Sequence, residues 1–165
     1  YAINFEMAEV QTQRMHKNSR GNTYYENLFM GLFMVSELPK DLNCEIRILT
    51  DKGLVKAKNR IELDSGEFEK YYDVFGDNKI KVLQILTSSV MEKLIDFMKE
   101  MKVKYEISIR NDKLYIRFKT GGLFEPESIY KPSLDVTKLH RYYKLTKFSF
   151  DISEELIKII DNTQI

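Results

Sequence analysis

Carboxylates gather between Glu67 and Asp77: Glu67 and Glu69 flank Phe68, and Asp73 and Asp77 follow. On an extended segment Glu67, Glu69 and Asp73 would share one face, a placement from which paired acids can exchange protons with a substrate. The competing reading is a solvated charged face that turns at Gly76-Asp77-Asn78, since carboxylates seldom leave water without a partner. A hydrolytic or ligand-binding use of this cluster requires a deep pocket lined by two or more of these groups with displaced pKa values. Other catalytic apparatus is missing from the chain. It has no glycine-rich phosphate loop with its lysine, no His-Glu-x-x-His and no Gly-x-Ser-x-Gly. Its 2 histidines, His16 and His140, are far apart and neither has a second histidine at ligand spacing. No catalytic residue, metal or cofactor is therefore predicted. Cys44 is the only cysteine, so no internal disulfide can form. Alternating with Ile46 and Ile48, it reads as a small buried apolar residue and not as a reactive thiol.

Cations form two runs. Lys113, Tyr115, Arg117 and Lys119 alternate along one strand, with Lys104 and Arg110 beside them. Tyrosine between cations can stack bases. Against that stand Glu106 opposite Arg117, a formal charge of +1 for the whole chain, and the lack of an RNA-binding signature. The second run, Lys138, His140, Arg141, Lys144 and Lys147, decorates the late helix and suits anionic headgroups, although Asp135, Asp151 and Glu154 dilute it. A lipid- or nucleic-acid-binding surface requires the two runs to merge into one patch.

The elements that carry these groups can be read from periodicity. A chain of 165 residues with 43% apolar content fits a single domain spanning residues 1–165, large enough for one core. No apolar run is long enough to cross a bilayer. The start at Tyr1 inside a strand pattern and the abrupt end at Ile165 are expected of a soluble piece of a longer protein. Ala2 to Arg14 reads as a strand, His16 to Asn22 as a polar turn, and Tyr24 to Ser36 as a central strand. Leu42 to Leu49 alternates as a third strand, Asp51-Lys52-Gly53 as a turn and Arg60 to Leu63 as a short strand. Thr87 to Met101 is the clearest helix: Val90, Met91, Leu94, Phe97, Met98 and Met101 recur on one face. Thr87 can cap it, or Ser89 with Glu92 three residues on. A two-residue loop at Asn111-Asp112 pairs Ile109 with Leu114, Ile107 with Ile116 and Tyr105 with Phe118, sorting apolar side chains to one face.

The last segment, Asp135 to Asp161, reads as a helix with two stripes. Val136, Leu139, Tyr143 and Phe150 form one; Leu145, Phe148, Ile152, Leu156 and Ile159 form the other, on nearly the opposite side. Either one helix is buried on two sides or it breaks near Lys144 to Lys147, and a strand over Phe148 to Ile152 is the alternative. An exposed second stripe, Leu145, Phe148, Ile152 and Leu156, would be a surface for a protein partner.

Phe68-Glu69-Lys70-Tyr71-Tyr72-Asp73-Val74, then Ile85-Leu86-Thr87, then Met91-Glu92-Lys93-Leu94 stand in the order and spacing of a known signature. Phe29-x-Gly31-x-Phe33, Asp112-Lys113-Leu114-Tyr115-Ile116 and the closing Ile157 to Ile165 support it. The chain resembles, from about Tyr24 to its end, DUF3137, a bacterial family of unknown function. Ser88 departs from the pattern, since relatives often carry proline there. The resemblance implies hydrophobic helices ahead of this region, hence a membrane-anchored parent with the domain facing the cytoplasm; a wholly cytoplasmic protein is the alternative. It implies no catalytic residues. The matching Phe68, Tyr72, Val74, Thr87, Met91 and Leu94 are apolar or capping residues, so the signature reads as one of fold.

The fold expected is α+β, a mostly antiparallel sheet of about six or seven strands with two main helices at about 87–101 and 135–161. The function expected is a non-catalytic protein-interaction or scaffold module with a protein partner, the membrane being reached through segments outside this chain. The alternatives are a small-molecule-binding or hydrolytic domain using the carboxylates of 67–77, and a lipid-headgroup or nucleic-acid surface.

Overall fold

The computed structural model describes residues 3–50, 60–122 and 136–162. The turn expected at Asp51-Lys52-Gly53, the loop that Pro126 and Pro132 are expected to mark, and Asp135 lie outside them. Six strands form one open antiparallel sheet in the order β1-β2-β6-β5-β3-β4. They are β1 (Phe5–Lys17), β2 (Thr23–Glu37), β3 (Glu45–Thr50), β4 (Tyr72–Gly76), β5 (Tyr105–Arg110) and β6 (Lys113–Phe118). The helices are α1 (Lys79–Ile85), α2 (Ser88–Met101) and α3 (Val136–Asn162). The architecture is α+β, as expected.

Period-two alternation decides which side of the sheet is covered. Leu32 and Met34, Ile46 and Ile48, Ile107 and Ile109, and Leu114 and Ile116 are buried, while their neighbours in sequence, the buried Gly31 aside, are more exposed. Each such side chain, moved fully from water into the core, contributes roughly 1.5–3 kcal/mol. The β5–β6 hairpin has the expected register, Tyr105 with Phe118, Ile107 with Ile116 and Ile109 with Leu114. Asn111 takes the positive φ of 56° that its tight loop demands. Beyond Phe118 the chain passes close to β2. A Cβ on Gly31 would lie 2.0 Å from the Phe118 carbonyl oxygen, so only glycine permits that approach.

Thr87 starts α2: its side chain accepts a hydrogen bond from the Val90 amide at 3.4 Å. Ser89, the other candidate cap, instead donates to Glu155 at 3.0 Å. Val90, Leu94 and Phe97 are buried beneath α2, and Lys102 ends the helix in the left-handed region. Two buried tyrosines pin it to the sheet. The Tyr105 hydroxyl lies 2.7 Å from the Leu94 carbonyl oxygen, and the Tyr72 hydroxyl 2.6 Å from that of Tyr105. Burial holds both hydroxyls well above the ordinary tyrosine pKa.

The structure departs from the sequence reading at several places. Glu67 to Tyr71 is not extended: Phe68–Lys70 forms a 3₁₀ turn that leads into β4. The strand expected at Arg60 to Leu63 is reduced to a bridge between Arg60 and Phe75. Helix α1 was not expected at all; Asn78 caps it by accepting from the Lys81 amide. β2 lies second from one edge and not at the centre of the sheet.

Candidate interaction surface

Three of the carboxylates of 67–77, Glu67, Glu69 and Asp73, are engaged by cations, and Asp77 accepts from the Glu45 amide at 3.0 Å. Arg60, its side chain 11% exposed, donates to Asp73 at 2.8 Å and to Glu69 at 2.8 Å. Glu69 also accepts from the Leu63 amide at 3.0 Å. Glu67, turned away by the 3₁₀ turn, pairs with Lys99 of α2 at 2.6 Å, which lowers its pKa. A carboxylate held in this way is a weak proton acceptor, and Glu67 no longer shares a face with the other two. This arrangement ties the irregular segment to β4 and α2; it does not assemble an acid–base pair. Among the described residues no group of three metal-ligating side chains comes together. Cys44 is buried, and desolvation raises its pKa.

The two stripes of α3 have exchanged roles. Leu145, Phe148, Ile152 and Leu156 are buried, so they cannot serve as the expected partner surface. Phe148 stacks on Phe97 of α2 with ring centroids 3.6 Å apart and planes within 9°. Ser149 and Ser153 are buried on the same side, and Ser153 meets Ser36 of β2 at 3.0 Å. These small residues let the helix sit close to the sheet, and their hydroxyls also bond carbonyls one turn back. The helix is continuous through Lys144 to Lys147. Its exposed stripe is the other one: Val136, Leu139, Tyr143 and Phe150, with Leu139 at 56% exposure.

Contacts along α3 fix its direction. Thr146 lies 3.7 Å from the Met7 sulfur, and Phe150 meets Phe5 edge-on at 6.3 Å, so α3 runs antiparallel to β1. Lys144 pairs with Glu100 and Glu155 with Lys93, so it is antiparallel to α2 as well. Its first turns therefore extend past the C-terminus of α2. At that same end β2 leaves the sheet, because β6 pairs it only from Leu32 to Glu37. Residues 23–29 pair with β1 alone, making a two-stranded ribbon roughly 20 Å long, at ~3.3 Å per residue, whereas Met30 already accepts from the Gly121 amide at 3.2 Å. A register shift falls between Thr12 and Gln13, opposite Leu28. Met15, Tyr24, Tyr25 and Leu28 stand out from the ribbon, Tyr25 at 63% exposure. Nothing in the periodicity had marked this hairpin as protruding, since strand patterns do not reveal where a neighbour stops.

A cleft of about 580 Å³ runs between α2 and α3, with Phe97, Phe148 and Ile152 among its lining residues. Apart from Asp96, its charged residues bind one another: Lys93 with Glu155, Lys144 with Glu100, Lys147 with Asp151 and Lys158 with Glu154. On the opposite face of the sheet, Tyr115 packs near Phe33, Arg117 pairs with Glu106 and its guanidinium lies 5.7 Å from the Phe29 ring centre. Helix α3 packs on the other side, so the two basic runs do not merge along their length.

Residues 27–158 match the family described as "Protein of unknown function (DUF3137)". The chain belongs to DUF3137. No curated protein matches it. Among solved structures, the crystal structure of the mycobacterial trehalose monomycolate transport factor A, TtfA, is similar over 96% of this chain and 86% of that one. The TM-score is 0.48 and the identity 5%, a likeness that says nothing of what this DUF3137 domain binds. The signature residues hold the domain together. Phe68, Tyr72, Val74 and Leu94 are buried and Met91 packs against the same core. Phe68 stacks on Tyr72 at 4.7 Å, and Thr87 caps α2. In this DUF3137 chain no helix of the described residues is long and apolar enough to cross a membrane.

Proposed function

We propose that this domain is a non-catalytic binding module that holds its target through the ribbon and the first turns of α3. One observation carries the reading: among the described residues, most of the large apolar side chains left in water stand on these two protrusions, at one end of the sheet. A ribbon of two strands, exposed on both faces, gains little from its own fold and is well suited to gain more from a partner. The engagement of both Glu69 and Asp73 by Arg60 supports a binding role over a hydrolytic one. A protein-interaction role through Leu145, Phe148, Ile152 and Leu156 is withdrawn, because those residues belong to the core. The proposal includes a membrane-anchored parent with the domain on the cytoplasmic side, which protease protection of a tagged parent tests.

Photocrosslinking side chains placed at Tyr25 and Leu139 of the parent protein, in its own cells, test the binding surface. Adducts are expected there and not at Asp77 or Asp112. Adducts at the second pair alone would overturn the reading. The cleft between α2 and α3 favours a second role, small-molecule binding, through its aromatic floor. A metabolite that raises the melting temperature in the wild type but not in Phe97→Leu would support that role.

A further inference from the structure

We infer that the ribbon and the first turns of α3 dock on an anionic lipid surface, an inference that rests on the binding-module reading. Charge is the first ground. The chain as a whole carries a formal charge of only +1, yet this end gathers cations from three separate elements. Arg14, Lys17 and Arg20 stand on the ribbon and its turn, all exposed. Lys102, Lys104 and Lys119 stand at the base, where the Lys119 amide donates to the Lys104 carbonyl and joins the ends of β5 and β6. On α3, residues 136–147 include four lysines or arginines and no carboxylate; of these Lys144 pairs with Glu100 and Lys147 with Asp151. Of the carboxylates near this end, Glu26 lies 2.8 Å from the His16 ring and Glu100 pairs with Lys144, which removes one of these cations from the surplus. Parts of both basic runs read from the sequence therefore lie at this one end, on opposite sides of the sheet, together with a third set on the ribbon.

The second ground is the apolar content of the same surface. Met15, Leu28, Val136 and Leu139 are aliphatic side chains left in water, Val136 at 68% exposure. Phosphodiesters and base edges offer such groups little, whereas the boundary between headgroup and acyl chain accepts them. Tyr24, Tyr25 and Tyr143 carry an apolar ring and a polar tip, which suits that same depth. Cations distributed over two protrusions and their base match a charged plane with an apolar interior better than they match the few fixed ion pairs of a protein groove.

The chain contains no tryptophan, so an introduced one reports its own surroundings. Tyr24→Trp is expected to shift its emission to the blue with vesicles of phosphatidylcholine and phosphatidylglycerol, and not with phosphatidylcholine alone. Tyr115→Trp, on the open face of the sheet, is expected to stay unchanged. Raising salt is expected to release the protein. The triple variant Arg14→Ala, Lys17→Ala, Arg20→Ala is expected to lose about a hundredfold in vesicle affinity, at ~fivefold per cation, with an unchanged melting temperature. Equal binding to neutral vesicles, no binding at all, or a shift confined to Tyr115→Trp would overturn the inference. So would tighter binding of single-stranded oligonucleotide than of vesicles. If vesicles are ignored while Tyr25 and Leu139 still crosslink to a protein, the lipid inference falls and the binding-module reading stands.

Discussion

Replacing Phe148 by alanine separates a core stripe from a partner surface. The ring is buried against three others: Phe97 in parallel at 3.6 Å, Tyr105 at 5.3 Å and Phe118 at 6.1 Å between centroids. Truncation removes a whole ring from a packed site that α2 and the sheet cannot collapse to refill. The cost is expected to be about 4 kcal/mol, part of it the ring–ring geometry, worth ~1 kcal/mol. A domain of this size has about 5–15 kcal/mol in total, so the variant should fold but melt early. With a urea slope of about 2 kcal/mol per molar, the midpoint should fall by roughly 2 M. Tyr143→Ala, five residues earlier on the exposed stripe, is expected to change stability by less than about 0.5 kcal/mol. Urea titrations followed by circular dichroism read both. A loss below about 1 kcal/mol for Phe148→Ala, with a larger loss for Tyr143→Ala, would refute the assignment of the stripes.

Other perturbations follow from single contacts. Tyr72 and Tyr105 have raised pKa values in the fold, whereas the unfolded chain ionises near pH ~10, so the unfolded state sheds protons that the native state keeps. Stability should be whole below pH ~10 and decline above it, by up to about 1.4 kcal/mol per pH unit per tyrosine. Tyr72→Phe with Tyr105→Phe should flatten that decline, and equal alkaline slopes in variant and wild type would count against the buried pair. Gly31→Ala, forced against the Phe118 carbonyl, should cost at least about 3 kcal/mol, checked by thermal melting. Arg60→Gln should cost about 2 kcal/mol by leaving Glu69 and Asp73 without their cation, and adding Glu69→Gln and Asp73→Asn should restore part of it. No loss in Arg60→Gln would remove the structural role given to these carboxylates.

Much of the fold was legible because its signals are local. The β5–β6 register follows from one turn and a strict alternation, and α2 from a cap and a single apolar face. Helix α1 was missed because Lys79–Ile85 is only two turns long and leaves Ile80 and Leu83 in water, so no clean stripe marks it. The segment after Glu67 misled because Phe68 and Tyr72 are both buried, which suits alternation, while a 3₁₀ turn between them breaks it. The stripes of α3 were read correctly as two, yet apolarity could not say which faced inward. Ser149 and Ser153 held the answer, since small residues beside Phe148 and Ile152 mark the side that approaches the sheet. Salt bridges are harder still to foresee: Arg60 meets Asp73 only because a bridge to Phe75 brings the two strands together.

The binding end can be tested directly through the one cysteine. Cys44 is buried with a raised pKa, so it contributes little background labelling and single cysteines can be placed elsewhere. Cysteine at Tyr25 or Leu139, and at Asp77 or Asp112 for comparison, is to be labelled with a maleimide in the purified chain and in the parent protein within its native cells. All four are expected to react in the purified chain, and Tyr25→Cys and Leu139→Cys to be occluded in cells while the other two stay reactive. Equal labelling of all four positions in cells would contradict the claim that this end is where the domain holds its target.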